Sequence, residues 1–153
     1  MKPSLLARWA AAVVSVAVFA AAGRAQTLWD LANQNKETLR ISTLFTAQDV
    51  RDRLSTEEGI DAAIDWCRQT GVTHAFVESF RDGYTAERKA LEHARERFRA
   101  AGLDVSGCVT PTRVGKPSTG WNLISCYTDE PTQKRAREIF EYAASMFDEI
   151  MID

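Results

Sequence analysis

Two carboxylates stand at the ends of apolar runs. Asp153 closes the run Phe147-Asp148-Glu149-Ile150-Met151-Ile152-Asp153, and Glu78 follows Val72-Thr73-His74-Ala75-Phe76-Val77. Both runs read as buried strands, so each acid is delivered at a C-terminal strand tip. A carboxylate placed there can serve as a nucleophile, a general base or a stabiliser of developing positive charge. For Asp153 the alternative is a polar terminus that caps the next loop. For Glu78 the choice is between contact with a sugar hydroxyl or acid/base work and a salt bridge to Arg81 or another loop cation.

A third group lies between them. The stretch Pro111–Asp129 holds Trp121, Asn122 and Tyr127 among glycines and prolines. An aromatic face packs on the apolar face of a sugar ring, and a nearby amide bonds its hydroxyls. Trp121 could instead plug the loop onto the domain. Hydrolysis of a glycosidic bond needs two carboxylates, about 5–5.5 Å apart for retention of configuration and further apart for inversion. Asp153 supplies one; its partner is expected on a later strand. His74 sits early in its strand and reads as structural, while His93 lies on a charged helix face and reads as solvated. There is no G-x-S-x-G elbow, no Ser/His/Asp set, no zinc spacing and no cofactor fingerprint, so no metal and no cofactor are expected.

The elements that must position these groups repeat along the chain. Strands are expected at Leu39–Thr46, Val72–Ser79, Leu103–Thr110 and Phe147–Asp153. Ala47–Leu54 reads as a polar connection, and Ser55-Thr56-Glu57-Glu58 fits a capping box that opens a helix ending at Gly71. A second helix follows Thr85, read as its N-cap. It buries Leu91, Ala94, Phe98 and Ala101 and presents a mixed-charge outer face, read as solvated rather than as a binding patch. A third opens at Asp129-Glu130-Pro131 and buries Ala136, Ile139, Phe140 and Ala143.

Strands alternating with helices imply parallel pairing by right-handed crossovers. The absence of G-x-G-x-x-G after the first strand argues against a doubly wound nucleotide binder. Polar and aromatic residues also gather after strand C-termini, as on the active face of a barrel. The fold expected is α/β: the first half of a (β/α)8 TIM-type barrel, with four parallel strands and three intervening helices, after a signal peptide. Four units are half of the roughly 250 residues a barrel needs. An open α/β sheet binding a small metabolite is the alternative.

The first 25 residues stand apart. Lys2 and Arg8 precede the apolar run Trp9–Ala22, and Gly23-Arg24-Ala25 gives small residues at minus three and minus one, placing a cut before Gln26. A run of about 14 residues is short of the roughly 20 a membrane span needs. The domain reading is therefore a signal peptide at 1–25, an N-terminal arm at 26–38 and a partial barrel at 39–153, secreted or periplasmic, with no membrane span after cleavage. Removing residues 1–25 leaves 16 Lys and Arg against 21 Asp and Glu, about −5, a poor match for nucleic acid. At 45% hydrophobic and 26% charged, the composition is that of a globular protein. Of the cysteines, Cys67, Cys108 and Cys126, the last two flank the long loop and a bridge would pin it; the other reading is three buried thiols.

With these features the chain resembles secreted glycoside-hydrolase-type barrels. The carriers are the signal peptide, Phe76-Val77-Glu78-Ser79, Gly102-Leu103-Asp104-Val105, Trp121 with Cys126-Tyr127-Thr128-Asp129, and the closing Phe147–Asp153. Several retaining glycosidase clans carry a nucleophilic Asp at the end of strand four. The resemblance implies that Asp153 is nucleophile or electrostatic stabiliser, that Glu78, Trp121, Asn122 and Tyr127 line a carbohydrate site, and that the acid/base lies elsewhere. A non-catalytic carbohydrate-binding barrel is the other reading. The chain is expected to be inactive alone and to need the missing C-terminal half of the barrel.

Overall fold

The computed structural model describes residues 25–118 and 120–153, together with the backbone but not the side chain of Trp121. The signal peptide expected at residues 1–25 falls, but for Ala25, outside the described residues.

Four parallel strands form the sheet: β1 (Ser42–Phe45), β2 (His74–Arg81), β4 (Asp104–Val109) and β7 (Ile150–Ile152). Their spatial order, β1-β2-β4-β7, follows chain order. A doubly wound sheet reverses its order at a switch point, whereas a barrel does not. The short β3 (Tyr84–Thr85) folds back on β2, and β5 (Pro117–Ser118) pairs with β6 (Trp121–Ser125) in a separate hairpin.

The described residues form five helices, α1 (Leu28–Gln34) ahead of the sheet and α2 (Ala47–Asp52), α3 (Glu57–Thr70), α4 (Arg88–Ala100) and α5 (Glu130–Ala144) between its strands. The apolar stripes of α3, α4 and α5 cover one face of the sheet. Ala75, Val77 and Val105 meet Ile60, Ala63, Leu91 and Phe98 there, and Phe80 and Val109 meet Ile139 and Ala143. Side chains alternate along a strand, so the opposite face carries Ser42, Leu44, Thr46, His74, Phe76, Glu78, Ser106, Cys108, Thr110, Met151 and Asp153. One face helical and the other polar at both ends is compatible with part of a barrel, whose inner residues these would be.

Three local expectations change. Ala47–Asp52 is not a polar connection but a helix, because Thr46 and Asp49 form a reciprocal capping box at its start. The cap of α3 is Thr56, which accepts from Gly59 N, rather than Ser55. Thr85 does not cap α4; it pairs with Phe80 across the β2–β3 hairpin, and Glu87 takes the cap position without a side-chain bond.

The long stretch after β4 is likewise ordered. Its β5–β6 hairpin is pinned to the first turn of α5, where buried Thr132 accepts from Lys116 N at 3.0 Å, and to the chain before β5, where Val114 N donates to Ser125 of β6 at 2.9 Å. Cys67, Cys108 and Cys126 are free thiols, so no bridge pins the loop. The arm helix α1 has its own Thr27–Asp30 capping box and lies against Gly71 and Gly102, near the N-terminal ends of β2 and β4. The densely charged face of α4 pairs with its neighbour α3: Arg97 reaches Glu57 and Asp61, and His93 reaches Glu57 at 2.6 Å.

Candidate active site at the C-terminal ends of the strands

The open end of the inner face gathers one cluster from all four parallel strands. Glu78 comes from β2, Arg81 from its last residue, Thr110 from just after β4 and Asp153 from just after β7. The amide of Ala47, just after β1, completes it.

Simple alternation would turn Glu78 and Arg81 to opposite faces. A register shift between Glu78 and Phe80 inserts an extra residue, Ser79, opposite β4. Such a bulge re-aims the residues after it. Phe80 then enters the helical core, and Arg81 returns to the same face as Glu78. The Asp82-Gly83 turn locks this outcome. Both residues have positive φ, 53° and 78°, as a tight hairpin turn demands, and Arg81 pairs with Tyr84 across it.

Glu78 is fully buried, with 0% side-chain exposure. Arg81 Nε donates to its Oε2 at 2.9 Å and its Oε1 at 3.1 Å, and Ala47 N donates to Oε2 at 2.8 Å. The Thr110 hydroxyl donates to Oε1, and the Cys108 thiol lies beside the same oxygen. A buried carboxylate persists only when it is so compensated. Glu78 therefore lies beneath the site, spending its oxygens on the protein, and it is Arg81 that comes to the surface above it.

Arg81 then joins the buried acid to the exposed one. Its second amino nitrogen donates to Asp153 Oδ2 at 2.7 Å. Thr110 Oγ1 stands 3.2 Å from the same oxygen. The hydrogen bonds from Arg81 to Glu78 raise its guanidinium above the ordinary arginine value, against a smaller opposing effect of partial burial, and Asp153 adds to the rise. Asp153 keeps about half of its side chain exposed, and its Oδ1 has no hydrogen-bond partner among the described residues. Two carboxylates against one guanidinium leave the cluster one negative charge. Cys108 offers no thiolate here: burial, then the charges of Glu78 and Asp153, push its thiol up to about 12.

The other residues named from sequence lie on the segment between β4 and α5. Asn122 is exposed on β6. Tyr127 gives its hydroxyl to Pro111 O at 2.8 Å, tying the end of the hairpin segment to the chain just after β4. Neither is hydrogen-bonded to the Glu78–Arg81–Asp153 cluster among the described residues. The stacking role considered for Trp121 concerns a side chain outside the described residues.

A second polar layer lines the N-terminal end of the inner face. His74, 1% exposed, bonds Ser42 Oγ through Nδ1 at 3.2 Å and Ser106 Oγ through Nε2 at 2.9 Å. Ser106 donates to Glu149 at 2.7 Å, and Glu149, at the start of β7, pairs with Arg40 at 3.8 Å. Burial, then the Arg40 charge, lower the His74 imidazole below its ordinary value. This is the end of a barrel where polar residues serve stability. Among the described residues no group of His, Cys, Asp and Glu has the arrangement of a metal site.

Comparison with known families bears on this geometry. A family profile described as "Probable glycosyl hydrolase, catalytic domain" matches residues 25–153. The chain belongs to this glycosyl hydrolase family. Its match takes in every strand of the sheet, so the cluster at the strand ends lies within the matched region. An uncharacterized protein of Saccharolobus solfataricus is 27% identical over 121 residues, covering 74% of this chain and 19% of that protein. The chain thus spans about a fifth of the length of that curated relative. No solved structure matches the chain.

Two contributors to the site escape sequence reasoning. Arg81 enters only as a possible partner of Glu78, because the bulge that turns it inward has no local sequence mark. Thr110 is hidden at the end of an apolar run. The position of Ala47 N was open to detection, since Thr46-Ala47-Gln48-Asp49 is itself a capping-box pattern.

Proposed function

We propose that the domain contributes the nucleophilic or charge-stabilising carboxylate, Asp153, to hydrolysis of an O-glycosyl bond in a carbohydrate. The observation that carries the reading is the asymmetry of that carboxylate. Oδ2 is held by Arg81 at 2.7 Å, while Oδ1 has no hydrogen-bond partner among the described residues and the side chain is about half exposed. One oxygen anchored and one available suits a group that meets an anomeric carbon as positive charge develops there. The residual negative charge of the cluster favours that transition state and a neutral sugar over an anionic one.

Hydrolysis also needs a proton for the leaving oxygen, and we assign that to a second carboxylic acid outside residues 25–153. It would come from further β/α units that pair with the free edges of β1 and β7 and close the barrel. Asn122 and Tyr127, on the segment after β4, line the approach to the sugar, and Trp121 is the candidate stacking residue. The charged N-terminus, apolar run and small-residue boundary ahead of the domain support a secreted or periplasmic setting.

The test is Asp153→Asn in the full-length protein, assayed on a panel of aryl and natural glycosides. The expected result is a loss of about 10²–10⁴-fold in turnover, the range for a positioned carboxylate. Unchanged turnover on a substrate that the wild type hydrolyses removes Asp153 from the mechanism.

A further inference from the structure

We propose that Arg81 is a positioning residue for the reaction: it is held from below by the buried Glu78 and in turn fixes the orientation of Asp153. The inference rests on the reading of Asp153 as the reacting carboxylate and adds what sets its geometry.

Three features carry it. Arg81 bonds both acids with separate donors: Nε spans the two oxygens of Glu78, and the amino group beyond it reaches Asp153 at 2.7 Å, whereas the Thr110 hydroxyl, which also lies 3.2 Å from Asp153 Oδ2, has one proton and gives it to Glu78. Glu78 is enclosed, 0% exposed, and its other contacts are a backbone amide and a hydroxyl on two different strand ends, so it cannot follow Arg81 if the latter moves. The backbone of Arg81 is fixed by the bulge before it and the hairpin pair with Tyr84 after it. The guanidinium is thus constrained on three sides and presents one donor to Asp153.

The consequence for catalysis is geometric. Anchoring Oδ2 fixes rotation of the Asp153 carboxyl group, so Oδ1 holds one direction. A carboxylate at the end of a strand, half exposed, would otherwise sample several rotamers, and misplacement of a reacting group by an ångström lowers rate without weakening substrate binding. Lysine cannot replace this arrangement. An ammonium is a point donor that can satisfy Glu78 or reach for Asp153, but it lacks the planar fork that spans both.

The experiment is Arg81→Lys in the full-length protein, with Asp153→Asn and the double variant beside it. Loss of one charge-assisted hydrogen bond that acts on the reacting group predicts a fall in kcat of about 10–100-fold, with KM within threefold of wild type. Because the two residues act as one unit, Arg81→Lys in the Asp153→Asn background should cost nothing further. The charge opposite Glu78 is retained, so the thermal midpoint should move little; a variant that melts more than about 10 °C lower is assayed at a temperature where it is fully folded, with wild type measured at that same temperature, and is read by the same criteria. A kcat within fivefold of wild type, a change confined to KM, or losses that multiply in the double variant overturns the positioning role while leaving Asp153 in place. An active Asp153→Asn overturns both readings.

Discussion

Removing either end of the Glu78–Arg81 pair should have unequal costs, and the structure fixes the order. Arg81→Met leaves Glu78 as a fully buried carboxylate that retains only the Ala47 amide, the Thr110 hydroxyl and a thiol. Breaking a buried pair in that way costs about 3–5 kcal/mol. Glu78→Gln leaves Arg81, whose side chain is 26% exposed, still bonded to Asp153 and open to water. Its cost is the mismatch of an amide facing the Arg81 and Ala47 donors, about 1–3 kcal/mol. The Arg81–Asp153 bond adds little to stability, under about 1 kcal/mol, because Asp153 is half exposed. The double variant buries no lone charge, so it should be more stable than the sum of the single losses by about 1–3 kcal/mol. The assay is urea unfolding of the full-length protein followed by tryptophan fluorescence and far-UV circular dichroism, with equal m-values required for the comparison. Arg81→Met no more costly than Glu78→Gln, or losses that add within about 0.5 kcal/mol, would refute the account of Glu78 as a buried charge held chiefly by Arg81.

Two further expectations follow from other parts of the fold. His74 has its folded-state pKa lowered below 6.5, chiefly by burial, among Ser42, Ser106, Arg40, Asp104 and Glu149. Below that pH the unfolded chain binds a proton that the folded chain resists, so stability present above about pH 6.5 declines as pH falls towards 5. Urea midpoints at pH 7, 6 and 5 should drop in that order, and His74→Gln should flatten the drop; an unchanged slope refutes it. Gly107 on β4 faces the Phe147 ring, and an added Cβ would lie 2.8 Å from Cδ2. Gly107→Ala should therefore cost about 1–3 kcal/mol by overpacking, read as a lowered urea midpoint; a neutral effect would mean that Phe147 is free to move.

The boundary between local and tertiary information is clear at particular residues. Four apolar runs separated by helical stripes are legible as a β/α repeat, because burial on both faces of a parallel sheet leaves a period that short windows reveal. The placement of Glu78 and Asp153 at strand tips follows from the same runs. Caps are local as well: Thr46 and Asp49 announce α2 within four residues, even where a polar stretch suggests a connection. Strand ends are less certain from sequence. β2 runs to Arg81 rather than stopping at Ser79, and β7 starts at Ile150 rather than Phe147, because pairing with a neighbour sets a strand's limits and Phe147 is drawn instead over Gly107 into the helical core.

The sequence by itself determined the alternation of elements, the sequential delivery of acids to one edge and the likeness to glycoside-hydrolase barrels. Only the tertiary structure set the two acids apart. Glu78 and Asp153 look equivalent as strand-tip carboxylates, yet one has no exposure and the other keeps half of its side chain in solvent. The difference arises from contacts 31 to 72 residues apart in the chain: Ala47 and Thr110 close over Glu78, and Arg81 reaches across to Asp153. A bulge of one residue puts Arg81 on the face where it can do so. Such long-range satisfaction of polar groups leaves no periodic trace in a sequence, because each partner is chosen by the register of a neighbouring strand rather than by its own neighbours in the chain.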